Sequence, residues 1–156
     1  MEQNVKEKNF VSAVIYIRSG EEDTDKNIEN LLKVMKEHFE HYEIIFVNDA
    51  SSDGCVDKIK KIFAKEENNG IAVRIINMSY YYGREIAMSA GVDMAIGDYV
   101  FEFDRISSIG DDIIMKAYYK CIQGTDIVSV TPKKVAGFIT KLYYKIYNSS
   151  SNIKEN

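Results

Sequence analysis

The segment EIIFVNDASSDG, residues 43–54, decides the fold class of this 156-residue chain. Its residues 44–47 are β-branched or aromatic with no polar alternation, which is typical of a strand covered on both faces of a parallel sheet. The polar residues Asn48 and Asp49 follow directly. Because ligands of open α/β sheets bind outside the carboxyl ends of the strands, we expect these two side chains to face a small molecule.

The same segment also has an ordinary structural explanation. Asn, Asp, Ser and Gly are common turn residues, Ser51 or Ser52 can cap the following helix, and Gly54 permits a tight start. The segment alone therefore leaves open whether it is a ligand-binding loop or only a capped turn between a strand and a helix.

Strand and helix patterns alternate along the rest of the chain. A further buried strand is predicted at 10–17 and other strands at 71–78, 99–103 and 125–130, and amphipathic helix patterns lie between them. This alternation predicts an α/β fold, with a mostly parallel Rossmann-like sheet flanked by helices. We divide the chain into a loose leader at 1–9, one domain at 10–132, and a basic aromatic helix with a loose tail at 133–156.

The helix pattern that begins near residue 84 contains a glycine. We expect this helix to turn Ile86, Ala87, Ala90 and Met94 inward. Gly91 costs about 1 kcal/mol relative to alanine within a helix, so we expect it to permit close packing on a strand.

Composition excludes several classes of function. A net charge of -4 gives no general attraction to nucleic acid, and no apolar run approaches the roughly 18 residues of a membrane span. The first ten residues lack the apolar centre of a signal peptide, which predicts a cytoplasmic protein. Cys55 and Cys121 are the only cysteines, so neither a disulfide framework nor a zinc site is indicated.

Two charged residues in the second half are candidates for a binding site. Arg84 stands at an expected helix start, where a guanidinium and free amides can hold a diphosphate, although Arg84 taken alone is better explained as a solvated surface residue. Asp104 follows the strand pattern YVFEF, where a carboxylate can take a ribose hydroxyl or a divalent cation. A second carboxylate two positions later would strengthen a cation site, but Ile106 stands there.

Three stretches together resemble a known family. They are VSAVIYIRSGEE, EIIFVNDASSDG and SYYYGREIAMSAGVDMAIGDYVFEFD. They are similar to the N-terminal, nucleotide-sugar-binding half of family 2 glycosyltransferases, above all the polyprenyl-phosphate sugar transferases and enzymes like dolichol-phosphate mannose synthase. The resemblance covers about residues 10–153 and implies a truncated fold of the GT-A type.

The resemblance implies a set of nucleotide-sugar-binding residues but no catalytic residue. Asp49 would contact the base, Ser52 and Asp53 would shape its loop, Arg84 would lie near the diphosphate, and Asp104 would bind the ribose or a metal ion, Mg²⁺ or Mn²⁺. Because Ile106 replaces the second Asp of the family's Asp-x-Asp motif, we expect weakened metal binding. The family's Pro-x-x-Asn-Glu loop is also altered, since residues 16–20 read YIRSG.

Two functions remain open at this point. The first is transfer of a sugar from a UDP- or GDP-linked donor to an acceptor, such as a lipid phosphate at the inner face of the membrane or a surface glycan. The second is a catalytically degenerate binding or assembly module that uses the basic aromatic helix at about 135–147, which could also form a homo-oligomer. A dinucleotide-binding protein fits less well, because no Gly-x-Gly-x-x-Gly follows the first strand.

Overall fold

The computed structural model describes residues 5–19, 24–64, 71–105 and 110–130, in which four strands alternate with four helices. In chain order they are β1 (Val11–Ile17), α1 (Thr24–His38), β2 (Tyr42–Asn48), α2 (Cys55–Ala64), β3 (Ala72–Asn77), α3 (Arg84–Asp93), β4 (Tyr99–Phe103) and α4 (Asp111–Ile122). The basic aromatic helix expected at 135–147 lies outside the described residues. Among the helices described, none is long and apolar enough to cross a lipid bilayer.

The four strands form one parallel sheet in the order β3-β2-β1-β4. The chain moves outward from β1 through β2 to β3 and then returns to place β4 on the other side of β1. The strand order therefore reverses between β1 and β4, and open α/β sheets bind ligands outside the carboxyl ends of their strands at such a point. The prediction of a parallel α/β sheet is confirmed.

The core lies on both faces of the two central strands. All seven residues of β1 are buried, and so are six of the seven in β2, which explains why neither strand alternates polar with apolar residues. Side chains of α1, α2 and α4 pack together on one face, and α3 covers the other. Apolar residues at steps of one, three and four positions along α1 and at the residue after it are buried: Ile28, Leu31, Leu32, Met35 and Phe39.

Gly91 brings α3 close to the sheet. A Cβ atom added at Gly91 would lie 2.4 Å from Cγ1 of Val14 and 2.7 Å from Cγ2 of Val47. Any side chain at this position would therefore push the helix away from the two central strands. This contact confirms the prediction that the glycine permits close packing.

The same contact sets which side of α3 faces inward. Ala87 and Met88 are buried together with Gly91, whereas Ile86 and Met94 are 55% and 50% exposed. The expectation that Ile86 and Met94 point inward was wrong, because the glycine rather than the largest apolar residues lies against the sheet.

The strand expected at 125–130 is absent from the described residues. This segment forms no strand, and Ile127 and Val130 are 85% and 56% exposed. A β-branched, apolar sequence forms a strand only where a sheet edge offers hydrogen-bond partners and a surface to cover. That expectation was therefore wrong.

Part of the expected loose leader is held in place. The amide of Glu7 donates to the carbonyl of His38 at 2.8 Å, and the amide of Glu40 donates back to the carbonyl of Glu7 at 2.9 Å. The Asn9 side-chain amide donates to the Tyr118 hydroxyl at 2.8 Å. Residues 7 and 9 therefore pack on the domain through α1 and α4, while the domain boundaries remain predictions.

Candidate functional site

Polar residues follow three neighbouring strands at one edge of the sheet. Arg18 and Ser19 follow β1, Asp49 follows β2, and Asp104 and Arg105 follow β4. Because β1 and β4 are paired up to Ile15 and Phe103, the residues just beyond them meet at the point where the strand order reverses. This carboxyl edge is the candidate site.

Asn48, the last residue of β2, holds the following turn together. Its Nδ2 donates to Oδ1 of Asn77 at 2.9 Å, and its Oδ1 accepts from the amide of Ser51 at 3.0 Å and from the Ser51 hydroxyl. Asn48 is only 7% exposed. Its side chain is therefore bonded within the protein rather than directed at a ligand.

Asp49 is buried, and both of its carboxylate oxygens accept hydrogen bonds from the protein. Oδ1 accepts from the amide of Tyr82 at 2.9 Å, and Oδ2 accepts from the amide of Gly83 at 3.0 Å and the Tyr16 hydroxyl at 2.9 Å. Asp49 is 1% exposed. It therefore fixes the turn that leads into α3, and its expected contact with a nucleotide base stays a prediction.

Tyr16 belongs to the same buried group. Burial, followed by the hydrogen bond to Asp49, raises the pKa of Tyr16 to about 12. Sequence reasoning missed this residue. The signal was a tyrosine inside a fully buried strand, because a buried phenol needs a hydrogen-bond partner.

Ser52 and Asp53 lie in the loop between β2 and α2. The amide of Ser52 donates to Oγ of Ser19 at 3.2 Å, and Oδ1 of Asp53 accepts from the amide of Cys55 at 3.2 Å. Gly54, at φ 74°, precedes α2, and its carbonyl accepts from two first-turn amides, so it takes the N-cap position expected for a serine. Both site residues help to shape the loop, and their contact with a nucleotide remains a prediction.

Arg84 and Asp104 meet across the candidate site. They are 20 positions apart in sequence, and Nη1 of Arg84 lies 3.3 Å from Oδ2 of Asp104. A second nitrogen, Nη2, lies 3.4 Å from Oε1 of Glu85. The Arg84 and Asp104 side chains are 52% and 63% exposed, and such solvated pairs contribute only about 0–1 kcal/mol. Both groups are therefore available to a ligand at little cost.

Asp104 was also the predicted metal ligand. In the parts of the chain that the structure describes, no group of three or more His, Cys, Asp or Glu residues could hold a metal ion. A hard cation such as Mg²⁺ is often bound by one or two carboxylates together with water and substrate phosphates. The exposed Asp104 carboxylate fits that arrangement as a single protein ligand, and the expected weakening of metal binding stays a prediction.

Three exposed residues at this edge were not assigned a role from sequence. Cζ of Arg18 lies 4.2 Å from the centroid of the Tyr81 ring, and Tyr81 is 57% exposed. Arg105 is exposed directly after Asp104. The two arginines follow strand ends, which is the signal that could have found them, whereas the stacking of Arg18 on Tyr81 depends on the fold.

The chain is similar in sequence to glycosyltransferases. The family model described as glycosyl transferase family 2 matches residues 12–143. An uncharacterised glycosyltransferase of Synechocystis sp. is 30% identical over 150 residues, covering 92% of this chain and 46% of that protein. The undecaprenyl-phosphate 4-deoxy-4-formamido-L-arabinose transferase of Proteus mirabilis is 32% identical over 120 residues, covering 77% of this chain and 36% of that protein.

A solved structure supports the fold. The mannosyltransferase of Pyrobaculum calidifontis in complex with GDP-Man and Mn²⁺ matches with a TM-score of 0.58 at 16% identity, covering 72% of this chain and 32% of that one. The present chain spans less than half the length of these relatives. The fold is thus similar to that of a GT-A glycosyltransferase, and the match to the family model over 12–143 shows that the chain belongs to glycosyltransferase family 2.

Proposed function

We propose that this chain is the donor-binding part of a glycosyltransferase that moves a sugar from a nucleoside diphosphate to an acceptor. The observation that carries the proposal is the meeting of Arg84 and Asp104, an accessible guanidinium and an accessible carboxylate at the carboxyl edge of the sheet. These groups match the two charged parts of a nucleotide-sugar complex, the diphosphate and its cation.

The start of α3 supports binding of the diphosphate beside Arg84. Gly83 is the N-cap residue of α3, and no side chain there bonds to the first amides of the helix. A Cβ atom added at Gly83 would meet no atom within 4 Å, so the backbone is open to a ligand. Free amides at a helix N-terminus, together with the helix dipole, favour bound phosphate.

Asp104 would hold a divalent ion or a ribose hydroxyl. A bound Mg²⁺ or Mn²⁺ would neutralise negative charge on the leaving diphosphate. Asp49 would support the site by fixing the turn before α3, while Ser52 and Asp53 would shape the neighbouring loop. The choice between UDP and GDP remains open in this proposal.

The proposed reaction breaks the bond between the anomeric carbon of the sugar and the diphosphate oxygen and forms a bond from that carbon to an acceptor oxygen. Negative charge grows on the leaving diphosphate, where the Arg84 guanidinium would stabilise it. The proton of a hydroxyl acceptor would pass to a base that the described residues do not assign. A polyprenyl phosphate is the proposed acceptor, because the Proteus relative is named as an undecaprenyl-phosphate transferase.

The transferase is favoured over a degenerate binding module. The family match and the transferase names of the relatives support it. The helix at 135–147 on which the binding module depended, and through which a homo-oligomer was expected, lies outside the described residues.

Calorimetric titration with UDP and GDP, each with and without Mn²⁺, tests the proposal. We expect at least one nucleotide to bind more tightly with Mn²⁺, Asp104→Asn to remove that metal effect, and Arg84→Gln to weaken binding about tenfold, since a lost charged hydrogen bond costs roughly 1.5–3 kcal/mol.

A matched control is available on α1. Lys33 and Glu37 form another exposed ion pair at 3.9 Å near the end of α1, shortly before β2 begins and therefore at the opposite edge of the sheet. Glu37→Gln and Lys33→Gln should leave nucleotide binding unchanged. Failure of the folded protein to bind either nucleotide at millimolar concentration would refute the proposal.

A further inference from the structure

Two side chains at the rim of the candidate site form a flat, charged surface. Arg18 follows β1 and Tyr81 precedes α3, and the Arg18 guanidinium carbon lies 4.2 Å from the Tyr81 ring centroid. Both side chains are exposed, and neither belongs to the apolar core. A cation over an aromatic ring contributes only about 0.5–1 kcal/mol at an exposed site, so stability alone gives little reason for this arrangement.

The turn that carries Tyr81 is held rigidly from below. The next two amides, of Tyr82 and Gly83, both donate to the buried carboxylate of Asp49. The rings of Tyr80 and Tyr82 also meet edge to face, with centroids 6.5 Å apart. The Tyr81 backbone is therefore positioned before any ligand arrives, which reduces the entropy that binding must cost.

We propose that the Tyr81 ring, supported by Arg18, is the surface on which the nucleobase of the donor stacks. This inference rests on the proposed function. Tyr81 lies three residues before Arg84, where the diphosphate is proposed to bind, so one turn would contact both ends of a nucleotide. Arg18 stands over one face of the ring, so the base would stack on the opposite face and the guanidinium would add positive charge near the bound nucleotide.

Stacking predicts a tolerant site rather than a selective one. Every nucleobase has a flat π face, so contact with a tyrosine ring favours uracil and guanine alike, and guanine more because of its larger area. We therefore expect Tyr81 to contribute affinity for both UDP and GDP, with the larger contribution for GDP.

The test compares Tyr81→Ala with Tyr81→Phe in calorimetric titrations with UDP, GDP and inorganic pyrophosphate. Tyr81→Ala should weaken nucleotide binding about tenfold, since stacking on an aromatic side chain is lost. Tyr81→Phe keeps the ring and should bind nucleotides within about twofold of the parent chain. Pyrophosphate has no base, so its affinity should be the same in all three proteins.

Tyr119→Ala is the matched control, because Tyr119 is a tyrosine of α4 that is 43% exposed and whose hydroxyl donates to Glu7, before the start of β1 and so at the opposite edge of the sheet. It should bind nucleotides like the parent chain. If the parent binds nucleotide and Tyr81→Ala binds it equally well, the stacking surface is refuted while the proposed function stands. If the parent chain binds no nucleotide, the proposed function and this inference are both refuted.

Discussion

Two buried carboxylates, one at each end of β2, fasten the two ends of α3 to the sheet. Glu43 near the start of β2 is fully buried, and Asp49 just beyond its end is 1% exposed. Oε1 of Glu43 accepts from the amide of Ile96, shortly after α3, at 2.8 Å. Asp49 accepts from the amides of Tyr82 and Gly83, just before α3.

Each carboxylate also accepts a hydrogen bond from a hydroxyl of β1. Ser12 donates to Glu43 at 2.7 Å, and Tyr16 donates to Asp49 at 2.9 Å. Both arrangements therefore join the two central strands to the helix that covers them. Buried carboxylates are costly unless they are hydrogen-bonded, so each arrangement places a strict demand on its neighbours.

The two edges differ in the space that surrounds the carboxylate. At the Glu43 edge, the amide of Gly97 donates to the Ser12 hydroxyl, and a Cβ atom at Gly97 would lie 2.6 Å from the Ser12 backbone nitrogen. At the Asp49 edge, Gly83 has φ 89° and open space around it. The same kind of bonding thus closes one edge of the sheet and, at the other, fixes a turn that remains accessible. Only the second edge suits a ligand.

The largest loss of stability is expected when the carboxylate of Glu43 is removed. Glu43→Ala leaves the Ile96 amide and the Ser12 hydroxyl without their acceptor and removes the ion-pair partner of Arg74, 3.4 Å away. We expect the free energy of unfolding to fall by about 3 kcal/mol or more, measured by urea denaturation.

Glu37→Ala provides the control for that measurement. Glu37 pairs with Lys33 on the surface of α1, and its side chain is 48% exposed. Its loss should cost no more than about 0.5 kcal/mol. If Glu43→Ala and Glu37→Ala lower the free energy of unfolding by the same amount, the buried carboxylate of Glu43 does not hold α3 on the sheet.

Replacing each buried carboxylate by its amide should lower the free energy of unfolding by a smaller amount, which differs between Asp49 and Glu43. Both oxygens of Asp49 accept hydrogen bonds, whereas Oε2 of Glu43 has no hydrogen-bond partner and lies 3.4 Å from Nη1 of Arg74. Asp49→Asn must turn an N–H group toward another donor and should cost about 2 kcal/mol, while Glu43→Gln keeps its accepting oxygen and should cost about 1 kcal/mol. Urea denaturation of both variants measures the difference, and the opposite order would contradict the assigned bonding.

The smallest change in stability is expected at alkaline pH, from the ionisation of Tyr16 beside Asp49. The pKa of Tyr16 is raised from 10.0 to about 12, so the stability it provides is complete below pH 10 and decreases as pH rises through 12. At neutral pH, Tyr16→Phe should have an unfolding free energy about 1 kcal/mol lower than the parent chain, because the hydrogen bond to Asp49 is missing. Its unfolding free energy should not show the decrease that Tyr16 ionisation causes in the parent chain. The difference in unfolding free energy between the two proteins should therefore shrink between pH 10 and 12.

Tyr80→Phe serves as the control, because Tyr80 is exposed. Its unfolding free energy should follow that of the parent chain across the whole pH range. A constant difference between the parent and Tyr16→Phe from pH 8 to 12 would contradict the buried bond to Asp49.

Strands were the elements that sequence predicted best. The bounds of β4 are those expected from YVFEF, and β1 and β2 differ by one or two residues from their apolar runs. Strands covered on both faces need continuous apolar residues, so their sequences are distinctive. The run at 125–130 is rich in β-branched residues but forms no strand, because strand formation also depends on a partner that local sequence does not reveal.

The charged residues of the candidate site were predicted in part. Arg84 and Asp104 were singled out because they stand at a helix start and a strand end, and the structure brings them together. The partners of Asp49 were not predicted. Tyr16 is 33 positions from Asp49, as is Tyr82, and no local pattern indicates such a contact.

Local sequence patterns were enough to predict the parallel α/β architecture, the resemblance to the family and the strand ends that carry polar residues. Hydrophobic periodicity and local turn chemistry carry that information, because they act over a few residues at a time. The folded chain was needed to show that Asp49 bonds inward while Arg84, Asp104, Arg18 and Tyr81 stay accessible. Those roles depend on how α3 packs on β1 and β2, which is set by contacts between residues distant in the chain.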